Sequence, residues 1–126
     1  MEDVEKVSIS GLKGLNYLDK TKGGAQCAEE REEVRLAEWT DRVYLDSPDT
    51  LTIHGSPGGK IVFSKTNLAD TVVWNPWEQR AGEMGDLGSQ NWRGFVCVEA
   101  GLCVTPVTLQ PGQDWTCAHS LQYCRL

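Results

Sequence analysis

The stretch "LTIHGSPGGKIVFSK", running from Leu51 to Lys65, limits what this chain can fold into more than any other. Two runs of strand-forming residues flank "GSPGG", whose glycines tolerate the positive φ a tight turn requires, so the segment reads as a β-hairpin turning around Ser56-Pro57. A lone hairpin is barely stable in water and needs further strands beside it. The chain supplies them. "VEKVSIS" (Val4 to Ser10) alternates, with Val7 and Ile9 on one face, and stops at Gly11. "DTVVW" (Asp70 to Trp74), "FVCVE" (Phe95 to Glu99), "TPVTLQPG" (Thr105 to Gly112) and "DWTCAHSLQYCRL" (Asp114 to Leu126) read as further strands, with Pro111-Gly112 turning between the last two. Helix is scarce. "CAEEREEVRLAEW" (Cys27 to Trp39) fits strand spacing from Val34 onward, and its acidic run Glu29 to Glu33 reads as a solvated loop. A short helical turn is expected in "PWEQRAGEM" (Pro76 to Met84), where Pro76 suits the first turn. Short strands separated by Gly/Pro turns predict an all-β antiparallel sandwich or barrel. The chain begins almost inside a strand, which points to a truncated domain.

Charge narrows the function. A net charge of −6 with a pI near 4.8 excludes nucleic acid as an expected partner. No apolar run approaches the ~18 residues that span a bilayer, so no membrane partner is expected. Met1 is followed by Glu2, Asp3 and Glu5, the opposite of a secretion signal. The expectation is a soluble, cytoplasmic protein. Its five cysteines (Cys27, Cys97, Cys103, Cys117 and Cys124) then read as reduced thiols. The spacings Cys97 to Cys103 and Cys117 to Cys124 do not match the short knuckles of structural zinc, even with His54 and His119 as partners.

"NWRGFVCVEAG" (Asn91 to Gly101) poses a chemical question. An apolar strand closes on a carboxylate, Glu99, followed by the small residues Ala100 and Gly101. Either the strand emerges into water there, or the acid stands at the mouth of a site with room for a ligand.

Five ordered segments bear on that choice: "VSISGLKGLNYLDK", "TDRVYLDSP", "DTVVWNPW", "FVCVEAG" and "PVTLQPGQDW". The series resembles the C-terminal part of the glucose-6-phosphate 1-epimerases, the hexose-phosphate branch of the aldose 1-epimerase (galactose mutarotase-like) superfamily that includes the plant apospory-associated proteins. The resemblance implies the C-terminal half of a large antiparallel β-sandwich, with residues 1–126 forming a partial domain and the sugar site on a concave face. It implies interconversion of the α and β anomers of glucose 6-phosphate by acid/base ring opening and closure, with a hexose 6-phosphate as partner and no metal or cofactor. Glu99 takes the place of the general base, a role suited to a carboxylate whose pKa a cleft raises. Asp41 takes the place of an acid accepting from sugar hydroxyls, with a turn acid as the plainer reading. Trp74 and Trp77 either stack on the pyranose or pack in the core. Asn75 reads as a turn residue, and Arg42 and Arg80 as structural or surface residues.

Two departures limit the resemblance. The family's general-acid histidine and phosphate-binding arginines belong upstream of "VEKVSISGLKG", and His54 and His119 match neither. After Trp115 the sequence also leaves the family pattern, which puts the last strand in doubt. The alternative expectation is a catalytically inactive sugar-binding or interaction module. A sandwich lacking part of its strands is expected to self-associate through exposed sheet edges, with "IVF" and "FVCV" as the sticky segments.

Overall fold

The computed structural model describes residues 3–126. Ten strands form two antiparallel five-stranded sheets, the β-sandwich expected. In chain order they are β1 (Ser8–Ser10), β2 (Asn16–Asp19), β3 (Ala25–Ala28), β4 (Glu33–Arg35), β5 (Thr40–Tyr44), β6 (Thr50–Ser56), β7 (Gly59–Thr66), β8 (Asp70–Asn75), β9 (Cys97–Gly101) and β10 (Ala118–Arg125). The first sheet has the order β10-β7-β6-β1-β4 and the second β3-β2-β5-β8-β9. One helix, α1 (Trp77–Glu83), follows β8.

The hairpin forms as read, β6 against β7 with Pro57 and Gly58 between Ser56 and Gly59. Gly58 turns at φ +68, and Gly55 sits at a register shift with φ +92. At Gly55 only glycine fits, because a Cβ there would meet the Lys6 carbonyl oxygen at 2.5 Å. Alternation along the strands builds the core: Ile9, Val34, Leu51, Phe63 and Val73 are all buried, and Val7, just before β1, joins them.

Several sequence readings are corrected. "VEKVSIS" is a strand only from Ser8; Val4–Lys6 is a 3-10 turn, because the Asp3 carboxylate accepts from the Glu5 amide (3.0 Å) and caps it. Pro76 precedes α1 instead of lying in its first turn. "TPVTLQPG" is not a strand: it crosses exposed from one sheet to the other, with Pro106 and Pro111 lacking the amides a ladder needs. The doubtful last strand does form, since β10 pairs with β7 from Ala118 opposite Thr66 to Arg125 opposite Gly59. That pairing also places "IVF" inside the first sheet, so β7 is not an exposed edge. The free edges are β10 and β4 in one sheet and β3 and β9 in the other. On β10 Leu121 and Tyr123 stay more than half exposed, overhanging the core.

Candidate functional site

The second sheet turns one face to the core and leaves the other open. On β8, Thr71, Val73 and Asn75 are fully buried, while the alternating Val72 and Trp74 are only half-buried. On β9, Val98 and Ala100 pack against the core, so Cys97, Glu99 and Gly101 face the other way. Register then assembles a patch. Asp41 lies opposite Trp74 and Trp74 opposite Cys97; one step down the strands, Val43, Val72 and Glu99 form the next row. Antiparallel neighbours share a face, so Asp41, Trp74, Cys97 and Glu99 all stand on the open side. Val43 is 2% exposed yet lies outside the core cluster, which makes it floor of this open face.

Glu99 is exposed and sits in the middle of β9, two residues before its end. The sequence expectation that it terminates the strand is therefore corrected: pairing continues through Ala100 opposite Thr71 and Gly101 opposite Asp70. Its charge acts on the neighbouring thiols. Burial pushes the Cys97 thiol up first, and the charge of Glu99 and a hydrogen bond to its side chain push it further. Cys103, whose sulfur would stand 3.0 Å from a Cβ at Gly101, is likewise raised, chiefly by burial and by Asp70. All five cysteines are unpaired.

Asp41 is half-buried, and burial raises its carboxyl above the usual 3.8; Lys20 pulls it down and Asp19 pushes it up by smaller amounts. An acid with a raised native pKa destabilises the fold once the pH exceeds its unfolded value, increasingly so up to the native value. Asp41→Asn is therefore expected to raise the melting temperature at pH 7, with the gain vanishing on acidification below about 3.8. Calorimetry across that range checks it, and a lower melting temperature at pH 7 would show Asp41 to be a structural contact.

The two tryptophans part company. Trp74 leans on Phe95 with ring centroids 5.7 Å apart, on the open face. Trp77 stacks on the buried Trp92 at 4.5 Å, with a strained backbone φ of +55, and so belongs mainly to the packing. It also borders a cleft of about 320 Å³ between the 3-10 turn Lys20–Lys22 and α1, lined in addition by Thr21, Lys22, Glu38, Trp39 and Gln79.

Asn75 is more than a turn residue. Fully buried, it donates to the carbonyls of Trp92 and Phe95 (both 2.9 Å) and accepts from the Trp77 amide (2.8 Å), locking the β8–β9 connection on which Phe95 rides. Asp70 does the same at the other end, accepting from the amides of Asp46, Cys103 and Val104. Arg42 is structural, lying 4.8 Å over the Tyr17 ring on the core side. Arg80 is a surface residue paired with Glu83. Both histidines sit on the first sheet: His54 pairs with Ser10 (2.9 Å) and His119 packs on Phe63. Lys20, which the sequence did not single out, directly follows Asp19, the β2 residue paired with Arg42 of β5.

Two sheets packed face to face, with carboxylates and an indole on the open face of one, form a β-sandwich with a surface suited to a sugar. The comparisons agree. A profile of the aldose 1-epimerase family matches residues 2–122. The chain belongs to that family. It is 34% identical over 116 residues to a protein of Cenchrus ciliaris named as a glucose-6-phosphate 1-epimerase, covering 91% of this chain and 35% of the relative. A protein of Escherichia coli K12 bearing the same name is 32% identical over 98 residues, covering 77% of this chain and 33% of its own. The crystal structure of YeaD from Salmonella typhimurium, described as a mutarotase, superposes with a TM-score of 0.73 at 29% identity, over 79% of this chain and 34% of that one. The chain thus spans about a third of its relatives' length, less than the half that the resemblance implied.

Proposed function

We propose that this chain carries the base and sugar-binding portion of a cytoplasmic mutarotase site for glucose 6-phosphate, residues 1–126 being the C-terminal part of the sandwich. The family supports sugar anomer interconversion, and the names of the relatives point to the phosphorylated hexose. The observation carrying the reading is that Asp41, Trp74 and Glu99, on three different strands, share one open face.

In this reading Glu99 removes the proton from the C1 hydroxyl while the ring oxygen gains one. The C1–O5 bond breaks, giving the open-chain aldehyde, and rotation about C1–C2 presents its other face. Ring closure returns both protons and leaves the opposite anomer. Asp41 accepts from sugar hydroxyls and fixes the pyranose. Trp74 offers its ring to an apolar sugar face.

A second reading, sugar binding without turnover, is favoured by the location of both histidines on the other sheet. Self-association through β10, with Leu121 and Tyr123 exposed on it, goes with that reading. Both readings require the open face to bind sugar. Titration of glucose 6-phosphate into the ¹⁵N-labelled chain is expected to shift the amides of Asp41, Trp74 and Cys97 to Gly101. Shifts confined to β10, or none at all, would remove the proposal.

A further inference from the structure

The antiparallel ladder pairing Asp19 with Arg42 places the next residue, Lys20, beside Asp41. Its backbone is fixed from below. Asp19, 4% exposed, accepts from the Thr21 amide (3.0 Å) and hydroxyl (2.6 Å), capping the 3-10 turn Lys20–Lys22, and Gly23 at φ +66 closes it. Among the described residues no carboxylate lies within 4.0 Å of the Lys20 ammonium, whereas Lys22 reaches Asp19 at that distance. Its charge nonetheless acts at two separated points of the second sheet, lowering both Asp41 and the Cys103 thiol. Cys103 folds over Gly101, on the side Glu99 occupies. The ladder thus puts Lys20 beside Asp41 at the rim of the open face, exposed and in no ion pair among the described residues.

That face is otherwise acidic, with Asp41 and Glu99 on it and a chain of net charge −6 behind it. A sugar phosphate brings close to two negative charges toward two carboxylates, a repulsion that grows where the sheet excludes water. One cation within reach offsets it, and a lysine ammonium donates to phosphate oxygens as a flexible point charge. We propose that Lys20 contacts the phosphoryl group of the bound hexose 6-phosphate and discriminates it from the unphosphorylated sugar. The inference rests on the proposed function and adds to it a specificity residue within this chain.

Binding to the whole 126-residue chain tests it, with glucose 6-phosphate and glucose titrated separately by NMR. Glucose 6-phosphate is expected to bind about tenfold more tightly, the size of one charge-assisted contact. Lys20→Gln is expected to bring the two sugars to near parity with glucose affinity unchanged, Lys20→Arg to retain the preference, and Lys22→Gln to leave it intact. Equal affinities in the natural chain, or an undiminished preference in Lys20→Gln, would overturn the assignment of Lys20 alone. Binding of neither sugar would overturn the functional reading and this inference together. Lys20 is exposed, so the substitutions leave the core untouched and an unchanged amide spectrum verifies folding.

Discussion

Glucose 6-phosphate in the presence of this chain alone is expected to exchange between its anomers at close to the spontaneous rate. Proton removal needs a base, and the one proposed, Glu99, stands exposed on the open face. Protonation of the ring oxygen needs an acid facing it. Neither histidine qualifies, because His54 is tied to Ser10 and His119 lies on Phe63, both in the other sheet. General acid or base participation contributes typically ~10²–10⁴ in rate, so half a pair leaves little above water. The resemblance locates the acid upstream of Val4. Fusing the upstream two-thirds of a relative is therefore expected to raise the rate strongly, and Glu99→Gln in the fusion to lower kcat by ~10²–10⁴ with KM little changed. Exchange NMR at the anomeric proton measures both. Fast exchange by the chain alone would mean that another group supplies the acid. An unaffected Glu99→Gln fusion would reduce Glu99 to a strand residue meeting water.

How much of this was legible in the sequence depended on whether the controlling contact was local. The β6–β7 hairpin was, because its turn chemistry and flanking alternation lie within one stretch. The placement of Asp41 and Glu99 on one face was not: it depends on the register of β5, β8 and β9, which no single run encodes. "TPVTLQPG" has strand propensity, yet its Val107 and Leu109 stay exposed, because the segment bridges two sheet edges and finds no ladder. "VEKVSIS" failed for a smaller reason, a single capping aspartate that favours a turn over the first half of the run. Trp74 and Trp77, three residues apart, look equivalent in sequence, and the end of β8 at Asn75, whose side chain accepts from the Trp77 amide, turns the second indole away from the open side. The acidic run after Cys27 hid the largest discrepancy. Glu30 and Glu32 are solvated as read, whereas Glu29 is 3% exposed.

That buried acid carries the largest expected effect on stability. Its carboxylate accepts from Arg31 Nε (2.8 Å) and Nη2 (2.9 Å) and from the Tyr44 hydroxyl (2.8 Å), with Arg42 Nη1 at 3.8 Å. Burial alone would raise the carboxyl, but the hydrogen bonds from Arg31 and Tyr44 outweigh it and hold the group below its ordinary 4.5. Removing one partner of a buried, hydrogen-bonded charge cluster typically costs about 3–5 kcal/mol, a large share of the ~5–15 kcal/mol that holds a domain together. Glu29→Ala is expected to cost that much, leaving the fully buried Tyr44 hydroxyl and the Arg42 charge without their acceptor. Glu29→Gln is expected to cost less, since its amide oxygen still accepts. The sign with pH follows from the lowered pKa: the contribution of Glu29 is complete above about 4.5 and is lost as the pH falls through the native value. Urea unfolding should therefore show the gap between the natural chain and Glu29→Gln closing on acidification, and a gap independent of pH would mean the carboxylate's charge is not what stabilises. Because Tyr44 and Arg42 lie on the core side of β5, the strand that presents Asp41 on its other side, loosening this cluster also loosens the site. Glu29→Gln is accordingly expected to weaken glucose 6-phosphate binding although Glu29 lies beneath the sheet, and unchanged binding would show that β5 is held by its ladders alone.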